Sequence, residues 1–464
     1  MKTLIYLALF AVVASTGCRK IEVDGGSGNN NGNGNGTTEN TILEGRITEN
    51  RTLKADYIYK LRGLVYVTNG AVLTIEPGTK IVGGKGKNGG LVITRSCKIM
   101  ADGTVEKPIV FTSEEATPQR GDWSGLVILG NAPTNASFNG QVGVGEIEGG
   151  INNSDGLGLY GLGASSNPAD NSGILKYVRI EYAGYAFLPD KEINALTLGG
   201  VGSETVIDHV QVSYSNDDAF EFFGGTVNAN HLIAYKTLDD DFDTDNGYSG
   251  KIQFGIVLRD SAVADISKVE AFESDNDANG SQLLPQTKAI FSNMTVAGPR
   301  ATASNVGNSL YNAAAQIRRN SSTSMFNSIF IGWPVGLLID ASKGHPTDTN
   351  IPASLFFQNN IIGGCNTPVK YAASTTSPTG ATSASILDWV NTAAFGNSIL
   401  ATTADVKLNA PFNYATPDFA PAAGSPALTG AIFSNSLLKD GFTPVSYRGA
   451  VGPNDNWYKG WTKF

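Results

Sequence analysis

The residues best equipped for chemistry lie between Ile207 and Ser249, where two short apolar runs each lead into a cluster of acids. His209-Val210-Gln211-Val212 precedes Asp217, Asp218 and Glu221, and His231-Leu232-Ile233-Ala234 precedes Asp239, Asp240, Asp241, Asp243 and Asp245. Asp217 and Asp239, Asp218 and Asp240, and Glu221 and Asp243 are each 22 residues apart, and Asp275 and Asp277 follow further on. Hard carboxylate oxygens at this density suit Ca2+ better than a transition metal. The same acids admit a second chemistry. Glycoside hydrolysis needs two carboxylates roughly 5–9.5 Å apart, which Asp218 and Asp240 would supply. Elimination at a uronate would need a cationic base, for which Arg259, Arg318 and Arg319 are the candidates. A solvated acidic edge with no ligand is the third reading. His209 and His231, at the starts of their strands, read as structural.

Self-similarity at this interval is the signature of a solenoid. Equivalent residues on adjacent coils of stacked strands lie about 4.8 Å apart, so Asp218, Asp240 and Asp277 are expected to form a column. Like charges at that spacing repel by roughly 3.5 kcal/mol at an effective dielectric of 20. Such a column must be screened by water, hold protons, recruit arginine or bind a cation.

Composition narrows the field. With 33 basic residues against 42 acidic ones and a net charge of −9, no basic stripe is present to neutralise a nucleic acid. Three His and three Cys are too few for a Cys/His zinc cluster. The Gly-rich runs at 83–90 and 143–163 lack the Lys-Ser/Thr ending of a phosphate loop. No nucleotide, haem or zinc is expected; Ca2+ is the one cofactor in view.

The N-terminus reads as an address. Lys2, the apolar Leu4–Ala14 and Ser15-Thr16-Gly17-Cys18 resemble a bacterial lipoprotein signal, with Ser15 where Leu is usual. Residues 1–17 would be removed and Cys18 acylated. Residues 18–40, including the Gly/Asn run 25–36, would tether the body to the outer membrane, facing the cell exterior.

The body, residues 41–464, is expected to be one solenoid. Short β-branched runs cut by Asn-Gly and Pro-Gly fill its first part, and residues 131–172 form a long insertion. Tyr177, His209, His231, Lys268, Asn293, Asn327 and Asn359 read as equivalent positions. Three residues after each come Ile180, Val212, Ala234, Ala271, Val296, Phe330 and Ile362, an inward apolar ladder on which Val212 faces the core while Gln211 faces away. One helix is expected at 385–395, capped by Ser383, and the aromatic tail (about 428–464) is expected to cap the open end. Cys97 and Cys365 read as buried free thiols, with a disulfide between them left open.

GDWSGLVILGNAP (121–133), NSGILKYVRIEYAG (171–184), the run 196–229, DDDFDTDNGYSGKIQFGIVLRD (239–260) and the tail YRGAVG…WYKGWTKF resemble a Bacteroidota family of exported right-handed parallel β-helix proteins. FAPAAGSPA (419–427) resembles the closing phrase of pectin-lyase-like β-helices. The resemblance implies an all-β, right-handed, single-stranded parallel β-helix and export, and carries no activity with it. A surface lipoprotein that binds glycan or docks on an outer-membrane protein complex is the expected function, with a polysaccharide lyase or glycoside hydrolase as the alternative.

Overall fold

A strand-length apolar run cannot bury its inner face alone, so successive runs stack on one another. The computed structural model describes residues 39–464 apart from 189, 190, 303, 305 and 306; Cys18, the signal-like segment and the tether up to residue 38 lie outside the described residues. Among the described residues of Thr41–Phe464, 26 strands join one parallel sheet wound into a β-helix.

Ten strands of the central coils position the site. They are β1 (Gly173–Glu181), β2 (Leu196–Gly199), β3 (Val206–Ser213), β4 (Phe220–Phe223), β5 (Asn228–Tyr235), β6 (Phe242–Asp245), β7 (Lys251–Leu258), β8 (Val269–Ser274), β9 (Ile290–Ala297) and β10 (Tyr311–Arg318). The long strands β1, β3, β5, β7 and β9 stack on one another, and β2, β4, β6, β8 and β10 form a second stack.

Each long strand is bent by one residue in the left-handed region: Tyr177, His209, His231, Phe254 and Asn293, with φ of 48°, 55°, 54°, 62° and 56°. The column continues through Asn327 and Asn359, where two short strands, one on either side of the bend, replace the single long one. His209 and His231 therefore sit inside their strands, not at the starts. Six of the seven positions expected from the sequence lie on this column. Lys268 does not: it leads into β8 on the other stack, and Phe254 takes its place. The inward ladder is accordingly Ile180, Val212, Ala234, Val257 and Val296, all fully buried, with Val257 where Ala271 was expected. One position after the bend, Gly255 pairs with Met294, and a Cβ on Gly255 would lie 1.9 Å from the Met294 Cε. That glycine breaks the apolar pattern, which is why the coil escaped notice.

The end of the solenoid is covered by α1 (Ser383–Val390), which packs on the strand Thr367–Ala372. The helix is capped by Thr382, not Ser383: the Thr382 hydroxyl accepts from the Ser385 N–H while the Ser385 hydroxyl accepts from the Thr382 N–H. It ends at Val390, and Ala393–Phe395 form a separate 3-10 turn.

The aromatic tail does not cap the open end. It runs back along the side as a strap. Asn327 pairs with the backbone of Ile432, Gln253 with Thr443 and Gln211 with Lys463, each amide both donating and accepting. Side-chain amides carry both functions, so they stand in for a neighbouring strand. Gln211, expected to face away from the core, is fully buried beneath this strap. The insertion 131–172 folds into two small antiparallel hairpins, with Ile147, Ile151 and Tyr160 buried against Val127 and Leu129. Cys97 and Cys365 are both free thiols.

Candidate metal centre

The site grows from a three-residue phrase repeated on consecutive coils. Ala219-Phe220-Glu221, Asp241-Phe242-Asp243 and Ala271-Phe272-Glu273 align through the pairing of β4, β6 and β8. The phenylalanines point inward, stacked at 5.2 Å from Phe220 to Phe242 and 5.2 Å from Phe242 to Phe272. Because side chains alternate along a strand, the next residue of each coil must point outward. Glu221, Asp243 and Glu273 thus form one acidic column, and Asp245 and Asp275 continue the outward face.

A second column lies just before these strands, and it is locked to the backbone. The Asn194 Oδ1 accepts from the Asp218 N–H at 3.2 Å, the Asp218 Oδ1 from the Asp240 N–H at 2.8 Å, and the Asp240 Oδ1 from the Glu270 N–H at 2.6 Å. Each acid so caps the strand of the next coil. The third member is Glu270 rather than Asp277, because the coil register runs through Phe254 and not Lys268. Asp277 instead holds its own loop, accepting from the N–H groups of Asn279 and Ser281.

The two columns open into one cleft of about 410 Å3, lined by ten carboxylates against two guanidiniums. Asp217, Asp218, Glu221, Asp239, Asp243, Asp245 and Asp275 of the expected ligands reach it, joined by Glu148, Asp265 and Glu273. Asp240 lies behind the wall, grouped with Glu270 and Glu273. Asp241 is turned into the core, at the place Ala219 and Ala271 hold in their coils, and pairs at 2.8 Å with Arg259. Arg259 is itself fully buried and also donates to the Asp239 carbonyl. It cannot serve as a base at the cleft. Arg318 pairs with Glu273 and Asp275, and Arg319 with Asp275. Burial disfavours the Arg318 charge, but these acids outweigh it and hold its pKa above the ordinary value.

The acids nearer the middle of the cleft are governed by burial and by one another. Burial, then neighbouring carboxylates, pushes Asp239 and Asp245 up to about 8, and burial raises Asp218 to about 6. Glu221 and Asp243 are pushed well up for the same reasons. Ligand atoms of Asp218, Glu221 and Asp243 all lie within 4.8 Å of one another. The Glu221 Oε1 and the Asp243 Oδ1 are buried with no hydrogen-bond partner among the described residues. Unpaired buried oxygens at this density are a poor arrangement for a neutral solute and a fitting one for a hard cation.

Glu148, Asp265, Glu270 and Glu273 escape a reading by spacing. The last two had a signal in the repeated acid-x-Phe-acid phrase, 218–221, 240–243 and 270–273; Glu148 arrives from the insertion, where the Asn194 amide donates to it at 3.0 Å.

The family model for the pectate-lyase-like β-helix domain matches residues 45–401. No curated protein matches the sequence. Among solved structures, the Dettilon tailspike protein (gp208) is similar at 9% identity over 74% of this chain, with a TM-score of 0.23. The chain spans 61% of that tailspike chain. On its stacked coils and on the match across residues 45–401, the chain belongs to the pectate-lyase-like β-helix domain family.

Proposed function

We propose that the chain is a lipid-anchored surface protein whose acidic cleft binds Ca2+ and serves as a non-enzymatic docking site for an anionic glycan or an outer-membrane protein complex. The observation that carries this reading is the pair of buried, unpartnered oxygens on Glu221 and Asp243, converging with Asp218 from two adjacent coils. A bound Ca2+ would satisfy both and lift the mutual repulsion of the columns. Among the described residues, Phe223 is the only aromatic one lining the cleft, so a platform for stacking sugar rings is lacking there. Recognition would run through charge instead, with the ion and the paired Arg318 and Arg319 facing an anionic group. The lipoprotein part rests on Cys18 in its signal-like context.

The test is calcium calorimetry on the full chain beside its Asp218→Asn/Asp243→Asn variant, together with turnover assays on a panel of acidic polysaccharides. Calcium heat that vanishes in the variant, with no reducing ends or unsaturated products formed, fits the proposal. Calcium-dependent product formation would replace it with a lyase or hydrolase. For the anchor, Cys18→Ser should move the protein out of the membrane fraction; a variant that still pellets after salt washing refutes the lipoprotein reading.

A further inference from the structure

Two of the three histidines are brought together on a different part of the coil, and none of the groups around them lines the acidic cleft. His209 and His231 occupy the bend of β3 and β5 on adjacent coils, and their imidazoles stack at 4.2 Å. Asp208, one residue before the bend, faces both. Its Oδ1 lies 2.8 Å from the His209 Nδ1 and 2.8 Å from the His231 Nδ1. Only the His231 contact is angled as a hydrogen bond. The His209 Nδ1 has the distance without the alignment, and this nitrogen, on a side chain 11% exposed, is itself buried and has no hydrogen-bond partner among the described residues.

We infer that Asp208, His209 and His231 form a second metal site, for a divalent cation of the zinc, nickel and copper class. Two imidazole nitrogens and one carboxylate oxygen already converge, with all three donor atoms within 4.8 Å of one another. Tetrahedral bonds of about 2.0–2.1 Å place donor atoms roughly 3.3 Å apart, so closing the site takes a tilt of the two stacked imidazoles that turns their in-plane lone pairs toward one point. Imidazole nitrogen selects borderline cations, whereas the all-oxygen cleft selects hard ones, so the two sites sort metals by chemistry. The count of Cys and His excludes a closed Cys/His cluster; three ligands with an open fourth position need only what this chain has.

The surroundings suit such a site. Tyr177 stacks on His209 at 4.4 Å and Phe254 on His231 at 5.1 Å, closing both ends of the imidazole pair. From the strap, Trp457 and Trp461 present their edges to the rings at 4.9–5.9 Å. An apolar shell of this kind limits water access to the bound ion. It also supplies the reporter, since a paramagnetic ion at the imidazoles quenches indole fluorescence at such short range.

The experiment is a Cu2+ titration of the full chain, read by tryptophan fluorescence and by electron paramagnetic resonance. The expected result is saturable quenching at one ion per chain, nitrogen hyperfine structure from two imidazoles, and displacement by Zn2+ but not by millimolar Ca2+. His231→Asn should weaken binding by about tenfold or more, since removing a ligand costs at least as much as removing a residue that orients one. Asparagine already holds the same bend at Asn293, Asn327 and Asn359, so that variant keeps the backbone geometry. Asp218→Asn/Asp243→Asn should leave the quenching unchanged, which separates this site from the cleft. Quenching that does not saturate, that survives His231→Asn, or that shows an all-oxygen signal overturns the inference.

Discussion

Asp243→Asn tests the acidic column at its middle. Asp243 stands between Glu221 and Glu273 on the adjacent coils, at a spacing of about 4.8 Å. At an effective dielectric of 20 each charged pair costs about 3.5 kcal/mol, and in bulk water about 0.9 kcal/mol. A carboxyl can escape repulsion by taking a proton, which from an ordinary value of 3.8 costs about 4.4 kcal/mol at pH 7. The strain relieved by asparagine is therefore about 2–4 kcal/mol. Unfolding entropy of about 2.1 cal/mol/K per residue gives about 0.9 kcal/mol/K for the 424 residues (464 − 40) from Thr41 to Phe464. In chelator the variant should melt about 2–4 °C above the parent. With Ca2+ at 100 times its Kd the parent gains about 2.7 kcal/mol, about 3 °C, and the variant gains little. Differential scanning calorimetry in chelator and in Ca2+ reads both effects. A variant that melts no higher than the parent in chelator refutes the stored repulsion, and equal calcium shifts in both proteins place the ion elsewhere.

Other perturbations probe the same frame. The raised Asp218 value, about 6 through burial, means that the folded state holds this proton more tightly than the unfolded chain. Metal-free stability should therefore fall as pH rises from about 4 to 6, by about 3 kcal/mol from this group, and denaturant midpoints that rise over that window contradict it. Arg259→Leu leaves the Asp241 carboxylate unpaired in the core and should cost about 3–5 kcal/mol in urea unfolding; a loss below about 1 kcal/mol would show that Asp241 is not charged there. Gly255→Ala should cost about 1–3 kcal/mol through the Met294 Cε, and Met294→Ala in the same chain should recover part of it, giving a non-additive double-mutant cycle. Gln211→Ala should lose about 1–3 kcal/mol and shift the emission of Trp457 and Trp461, because the strap loses both amide bonds at Lys463.

The solenoid was legible in the sequence because local rules build it. Side chains alternate along each strand, so Val210 and Val212 had to face inward once the bend at His209 was aligned with the one at His231. The same alternation turned Glu221 and Asp243 outward together, and most of the expected acids do line one cleft. Where a coil carries a long insertion, spacing ceases to identify equivalents: Lys268 stood in for Phe254, and that slip moved the third acid from Glu270 to Asp277. Tertiary structure alone decided which acids acquire partners. Asp241 looks like its neighbours in sequence but falls at an inward corner and meets Arg259, 18 residues on, while Glu148 arrives from a separate hairpin. It also decided the course of the tail. Aromatic residues suit an end cap and a lateral strap equally well. The choice was made by the buried amides of Gln211, Gln253 and Asn327, whose donors and acceptors had to be satisfied once the coils had stacked.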